Sequence, residues 1–204
     1  MRYIFAGELV YFVRKNSILE KTIQQFDTAL SKCRSVFMKK NQDYGTSWRI
    51  LRPSSLTDQL YIKAKRIRSI EEKGAQKVAD GIEVEYIGLV NYCLIALIQL
   101  GLSEDAPLEL PTAHITQLYD QHAGEARHLM LQKNHDYGEV WREMRLSSLT
   151  DIILSKLLRI KQIEDNDGLT LISEGAASNY LDIINYAIFA LIKLEESRTD
   201  SENH

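Results

Sequence analysis

Two cysteines, Cys33 and Cys93, and three prolines are all that 204 residues contain. Two thiols are too few for a disulfide framework. In the internal alignment given below both stand opposite alanines, Ala126 and Ala187, as small buried residues do. The five histidines, His114, His122, His128, His135 and His204, have no cysteine or histidine partner at ligand spacing, which excludes a zinc site of the usual kind. No glycine-rich phosphate loop and no nucleophile elbow is present. Nor is there an excess of positive charge: 25 basic against 28 acidic residues leave a net charge of −3. Without a broad basic field, stable binding of duplex nucleic acid is not expected, whereas a free nucleotide needs only a few local cations. Residues 2–13 are apolar, but the run is too short to span a bilayer, is broken by Glu8, and is followed by no small-residue cleavage site. The expectation is a cytoplasmic protein with no membrane partner and an N-terminal extension over residues 1–15.

What the chain does have is an internal duplication. Lys40-Asn41-Gln42-Asp43-Tyr44-Gly45-Thr46-Ser47-Trp48-Arg49 recurs, offset by 93, as Lys133-Asn134-His135-Asp136-Tyr137-Gly138-Glu139-Val140-Trp141-Arg142. Ser54-Ser55-Leu56-Thr57-Asp58 recurs as Ser147-Ser148-Leu149-Thr150-Asp151. From residue 40 to 71, 18 of 32 positions are identical, too many for a chance match. A one-residue shift then aligns Tyr86, Asn91 and Tyr92 with Tyr180, Asn185 and Tyr186. Two copies are expected, over residues 16–102 and 111–197, with a linker at 103–110 and a disordered tail at 198–204.

Each copy reads as three helices. The periodicity predicts them at 17–40, 55–73 and 79–101, then at 111–133, 148–166 and 174–197. Ser55 and Ser148 fit N-caps, with Asp58 and Asp151 as capping-box partners. The third helix of each copy is apolar on nearly all sides, so these two should be central. The fold class is therefore all-α: two tandem three-helix units forming a pseudo-two-fold helical bundle, like a homodimer fused into one chain and existing as monomer or homodimer. Asn91 and Asn185 sit inside these apolar runs. An unpaired buried amide costs about 1–3 kcal/mol, so a register-fixing pair between the two central helices is expected.

The Lys-Asn-x-Asp-Tyr-Gly segment ends a helix, and Gly45 and Gly138 suit the left-handed conformation there. Capping does not explain why both copies also keep Lys40 and Lys133, Trp48 and Trp141, and Arg52 and Arg145. Aromatic faces beside cations are what a nucleobase and its phosphates require. The nucleotide-binding candidates are thus Lys40, Asn41, Asp43, Tyr44, Trp48, Arg52, Lys63, Arg66 and Asn91. Their counterparts are Lys133, Asn134, Asp136, Tyr137, Trp141, Arg145, Lys156, Arg159 and Asn185. The acids are divided between the copies: Asp80 and Glu85 in one, Glu174 and Asp182 in the other, with Gly88 opposite Asp182 and Asn179 opposite Glu85. Mg²⁺ needs two or more carboxylates converging with substrate phosphates, so Glu85, Asp182, Glu174 and Asp80 are the candidate metal ligands.

The repeated block, the Ser-Ser-Leu-Thr-Asp helix start, the segment from Leu157 to Asp165 and the Asn-Tyr pair together resemble the nucleotide modification associated domain 1 family, over residues 23–197. That family is linked by genomic context to nucleotide or DNA-base modification, so the resemblance implies such a pathway. The chain is also similar, more distantly, to all-helical nucleoside triphosphate pyrophosphatases, with Glu85 and Asp182 each keeping one half of a metal-binding Glu-x-x-Asp element. That similarity implies a catalytic set of Glu85, Asp182, Asp58 and Asp151 holding Mg²⁺, which would polarise a phosphoanhydride and release pyrophosphate. The other class compatible with the residues is a non-enzymatic helical interaction or assembly module, its polar positions serving as caps and buried networks.

Overall fold

The computed structural model describes residues 2–74, 81–103, 105–170, 172 and 174–202, with side chains described between residues 18 and 201 of these. Among the described residues there are six α-helices and no strand: α1 (Arg2–Tyr44), α2 (Pro53–Lys73), α3 (Ile82–Gly101), α4 (Thr112–Tyr137), α5 (Leu146–Asp165) and α6 (Ala176–Glu202). The all-α class holds. Short 3₁₀ turns at Ser47–Ile50 and Val140–Arg142 carry the two tryptophans between the first and second helix of each copy.

Helix ends follow local chemistry. After α1 and α4 the chain turns through Gly45 (φ +56°) and Gly138 (φ +66°), whose N–H groups bond Asn41 O and Asn134 O at 2.9 Å. A side chain at a positive φ would be strained, so glycine is the residue that lets both helices stop there. The capping boxes expected at Ser55 and Ser148 are not used. The second helices begin two residues earlier, at Pro53 and Leu146, with Arg52 and Arg145 in the cap positions and no side-chain cap bond. Proline has its φ preset for a helix and no N–H to satisfy, so it starts α2 without a capping side chain.

The first helix is continuous from Arg2 to Tyr44. The last helix runs from Ala176 to Glu202. Its final turns are tied back on themselves by Ser197 and Ser201 hydroxyls bonding carbonyls four residues earlier, and Arg198 reaches Glu83 across the fold at 3.1 Å.

The most extensive helix contact is between α3 and α6, with α2 and α5 packed on them and on each other. Leu89, Leu94 and Ile98 of α3 and Ile183, Ile184 and Ile188 of α6 are buried to 1% exposure or less. Each such side chain contributes about 1.5–3 kcal/mol relative to an exposed one. By length and composition α3 could cross a membrane, but two-thirds of the qualifying stretch is buried inside the fold, as a core helix requires.

Between the copies the polar contacts are reciprocal. Tyr86 OH lies 2.7 Å from Thr150 Oγ1, which stands 2.9 Å from Glu71 Oε1. Tyr180 OH lies 2.8 Å from Thr57 Oγ1, which stands 2.7 Å from Glu164 Oε1. The three residues of one set align with the three of the other. Each tyrosine reaches into the opposite copy, and burial raises both phenols well above their ordinary range, keeping them neutral partners.

The predicted Asn91–Asn185 pair does not form. Asn91 donates to Cys33 O at 3.0 Å and accepts from Tyr119 OH at 2.9 Å, whereas Asn185 has no partner for either amide atom. Burial pushes the Cys33 thiol up to about 12, consistent with a packing role.

Candidate functional site

Each copy builds a cavity from the same positions: the last turn of its first helix, the tryptophan turn, and one face of its third helix. In the first copy Lys40, Asn41, Tyr44, Trp48, Lys63, Gly88, Asn91 and Tyr92 line a space of about 440 Å³. In the second, Lys133, Asn134, Tyr137, Trp141, Asp182, Asn185 and Tyr186 line one of about 290 Å³. Most of the residues singled out for nucleotide binding are therefore brought together, in two places. Tyr44 and Tyr137 are largely exposed at the mouths.

The two cavities differ at one helical position. In the second copy Asp182 is buried and receives Lys156 at 2.6 Å and Lys133 in a shorter bond. In the first copy the equivalent residue is Gly88, and Lys63 lies across it: a Cβ at Gly88 would stand 2.8 Å from Lys63 Cε. Lys63 is held from one turn earlier by Glu85, at 3.2 Å, together with Arg66. Lys40, the counterpart of Lys133, is exposed and makes no ion pair among the described residues. Shifting the acid by one turn thus leaves a free lysine at the first mouth and none at the second.

Smaller differences point the same way. Asn134 donates to Glu139 at 3.0 Å. Thr46 replaces Glu139 in the first copy, and Asn41 Oδ1 is buried with no partner. The Trp141 ring is stacked on Phe189, with centroids 4.3 Å apart and 5° between planes, and the Arg142 guanidinium lies 4.2 Å from its centroid. It was expected to stack on a base, but these neighbours already cover it. In the first copy Ile95 takes the place of Phe189. Arg49, the counterpart of Arg142, turns instead to Gln99 Oε1 and Ala106 O, both at 2.7 Å. Trp48 Nε1 is buried without a partner, as is Trp141 Nε1.

Several candidates lie elsewhere. Asp43 and Asp136 are exposed, the latter beside His135. Arg52 and Arg145 are exposed at helix starts and line neither cavity. Arg159, Lys156 and Glu174 line a separate space of about 480 Å³ with Asn179. Asp80 falls outside the described residues. The four candidate catalytic acids do not meet: Glu85 goes to Lys63 and Arg66, Asp182 to Lys133 and Lys156, Asp58 to Lys161, and Asp151 to Arg68 at 3.5 Å. Among the described residues no three carboxylate, histidine or cysteine side chains gather as a metal site would need.

The residues that sequence reasoning missed are Tyr92 and Tyr186 at the cavities and the Tyr-Thr-Glu sets between the copies. Their signal was present, since all of these positions are identical in the two copies.

A chain made of two copies of a three-helix unit, each closing a polar cavity with its helix-end motif, defines the class. The model of the family described as nucleotide modification associated domain 1 matches residues 40–100 and 133–194, and the chain belongs to that family. Neither a curated protein nor a solved structure matches the chain.

Proposed function

We propose that this protein binds a nucleoside phosphate in the first-copy cavity, within a process of nucleotide modification. The observation that carries the reading is the pair of unpartnered buried atoms on residues that line that cavity, Asn41 Oδ1 and Trp48 Nε1, an acceptor and a donor. Buried polar groups without partners are few in native proteins, and each costs about 1–3 kcal/mol until something bonds it. A nucleobase edge supplies both a donor and an acceptor. Tyr44 and Tyr92 add aromatic surface, and Lys40 at the mouth offers an uncommitted cation for phosphate.

The reading is one of binding. Pyrophosphate release through Mg²⁺ calls for converging carboxylates, and among the described residues no such group gathers, with Glu85, Asp182, Asp58 and Asp151 each facing a lysine or arginine.

Thermal-shift and calorimetric titration with the four deoxynucleoside mono- and triphosphates, with and without Mg²⁺, tests the reading, because a ligand of the native state raises its stability. Selective binding that Lys40→Ala weakens supports it. Absence of any shift at millimolar nucleotide overturns it in favour of an interaction module, and Mg²⁺-dependent pyrophosphate release would restore the hydrolase reading.

A further inference from the structure

The second-copy cavity is not a spare version of the first. Asn185 is 4% exposed and lines it, and neither its Oδ1 nor its Nδ2 has a partner. For the Oδ1 the reason lies in one substitution distant in sequence. Asn91, its counterpart, is satisfied in part by the Tyr119 hydroxyl. The residue equivalent to Tyr119 is Phe26, fully buried and without a hydroxyl, so the second amide lacks the donor that the first one has. Trp141 Nε1 is a third unpartnered polar atom at the same cavity.

Lys133 and Lys156 are both engaged by the buried Asp182 carboxylate, so neither is left uncommitted for a phosphate as Lys40 is at the first cavity. Met130, Met144 and Phe189 supply apolar wall, and Asn134, Tyr137 and Tyr186 bring further polar groups to the lining. At about 290 Å³ the space stands at the lower end of small-molecule sites, which run from roughly 300 to 1,000 Å³. We infer that the second-copy cavity binds an uncharged heterocycle presenting adjacent donor and acceptor atoms, a nucleobase offered as free base or nucleoside, with the Asn185 amide pairing its edge. An Asn amide makes such two-point contacts with base edges. The two copies would then divide the labour, one reading a phosphate-bearing ligand and the other a neutral base.

The test is calorimetric titration of the full chain with adenosine, guanosine, cytidine and thymidine, their 5′-monophosphates and inorganic phosphate. One nucleoside is expected to bind, with at least a tenfold loss in Asn185→Leu and no change in Lys40→Ala. Because Asn185→Leu removes an unpartnered amide, the ligand-free variant should melt no lower than the parent. Phe26→Tyr is the second variant. It supplies the missing hydroxyl, so it should raise the melting temperature while weakening nucleoside binding. If no nucleoside binds at millimolar concentration, the cavity is water-filled only and the inference fails. It also fails if Asn185→Leu and Phe26→Tyr leave binding unchanged. Loss of nucleotide binding in Lys40→Ala alone would concern the first cavity and leave this one standing.

Discussion

Gly88 and Asp182 occupy the same place on the third helix of each copy, and between them they decide what the lysines do. At Asp182 a carboxylate draws Lys156 to 2.6 Å and Lys133 with it. At Gly88 there is only room, through which Lys63 passes to Glu85. One helical turn of displacement in a single acid separates a mouth that carries an uncommitted cation from one that does not.

Asp182→Gly should therefore convert the second cavity toward the first. With Lys133 and Lys156 released, titration with a deoxynucleoside monophosphate should show a second binding event where the parent shows one. Losing a half-desolvated pair should also lower stability by about 1–2 kcal/mol, below the ~3–5 kcal/mol of a fully buried one, because Lys133 is 43% exposed. An unchanged stoichiometry would show that the carboxylate is not what closes the site.

Lys40→Ala and Lys133→Ala should separate cleanly. The first is expected to weaken nucleotide affinity at least tenfold, the equivalent of about 1.4 kcal/mol. The second should leave it unchanged, since Lys133 already answers to Asp182. Equal effects from both would contradict the asymmetry.

Glu71 and Glu164 are held above the usual carboxylate range, mainly by burial, with Asp151 and Asp58 respectively adding repulsion against the opposing Thr150 and Thr57 hydrogen bonds. A carboxyl whose folded value is raised contributes stability below its unfolded value near 4.5, and that contribution is lost as pH rises through the folded value. Glu71→Gln and Glu164→Gln should flatten this part of the urea-midpoint profile on going from pH 4 to 7 and stabilise the chain at pH 7 relative to the parent. A steeper profile would mean that the carboxylates are better paired than their surroundings indicate.

Tyr86→Phe and Tyr180→Phe each remove one hydroxyl from a buried Tyr-Thr contact. Each should cost about 1 kcal/mol in urea unfolding, with closely similar values because the contacts are reciprocal. Tyr180→Phe combined with Thr57→Val should cost less than the sum, showing coupling of at least 0.5 kcal/mol on the usual scale of ~0.5–3 kcal/mol.

Much of this was legible from residue spacing. Apolar periodicity and the two glycines marked the helices and the ends of α1 and α4, and the offset of 93 marked both cavities, because the residues that line them are the ones repeated. What spacing could not carry was the outcome of competition between distant groups. Ser55 lost its cap role to a proline two residues earlier. Asn185 lost its expected partner because Asn91 found a tyrosine on α4 and a carbonyl on α1. Glu85, Asp182, Asp58 and Asp151 are instead taken up by lysine and arginine side chains from neighbouring helices, and such reach depends on packing that no local pattern records.

The hydroxyl-to-threonine links hold each copy by the other's middle helix, and in them the copies agree residue for residue. A dimer of two identical chains would alter both of its cavities with every substitution. Here a covalent connection puts the halves on separate codons, so the seam can stay matched while each cavity drifts alone. Phe26, Asp182 and Phe189 are the record of that independence.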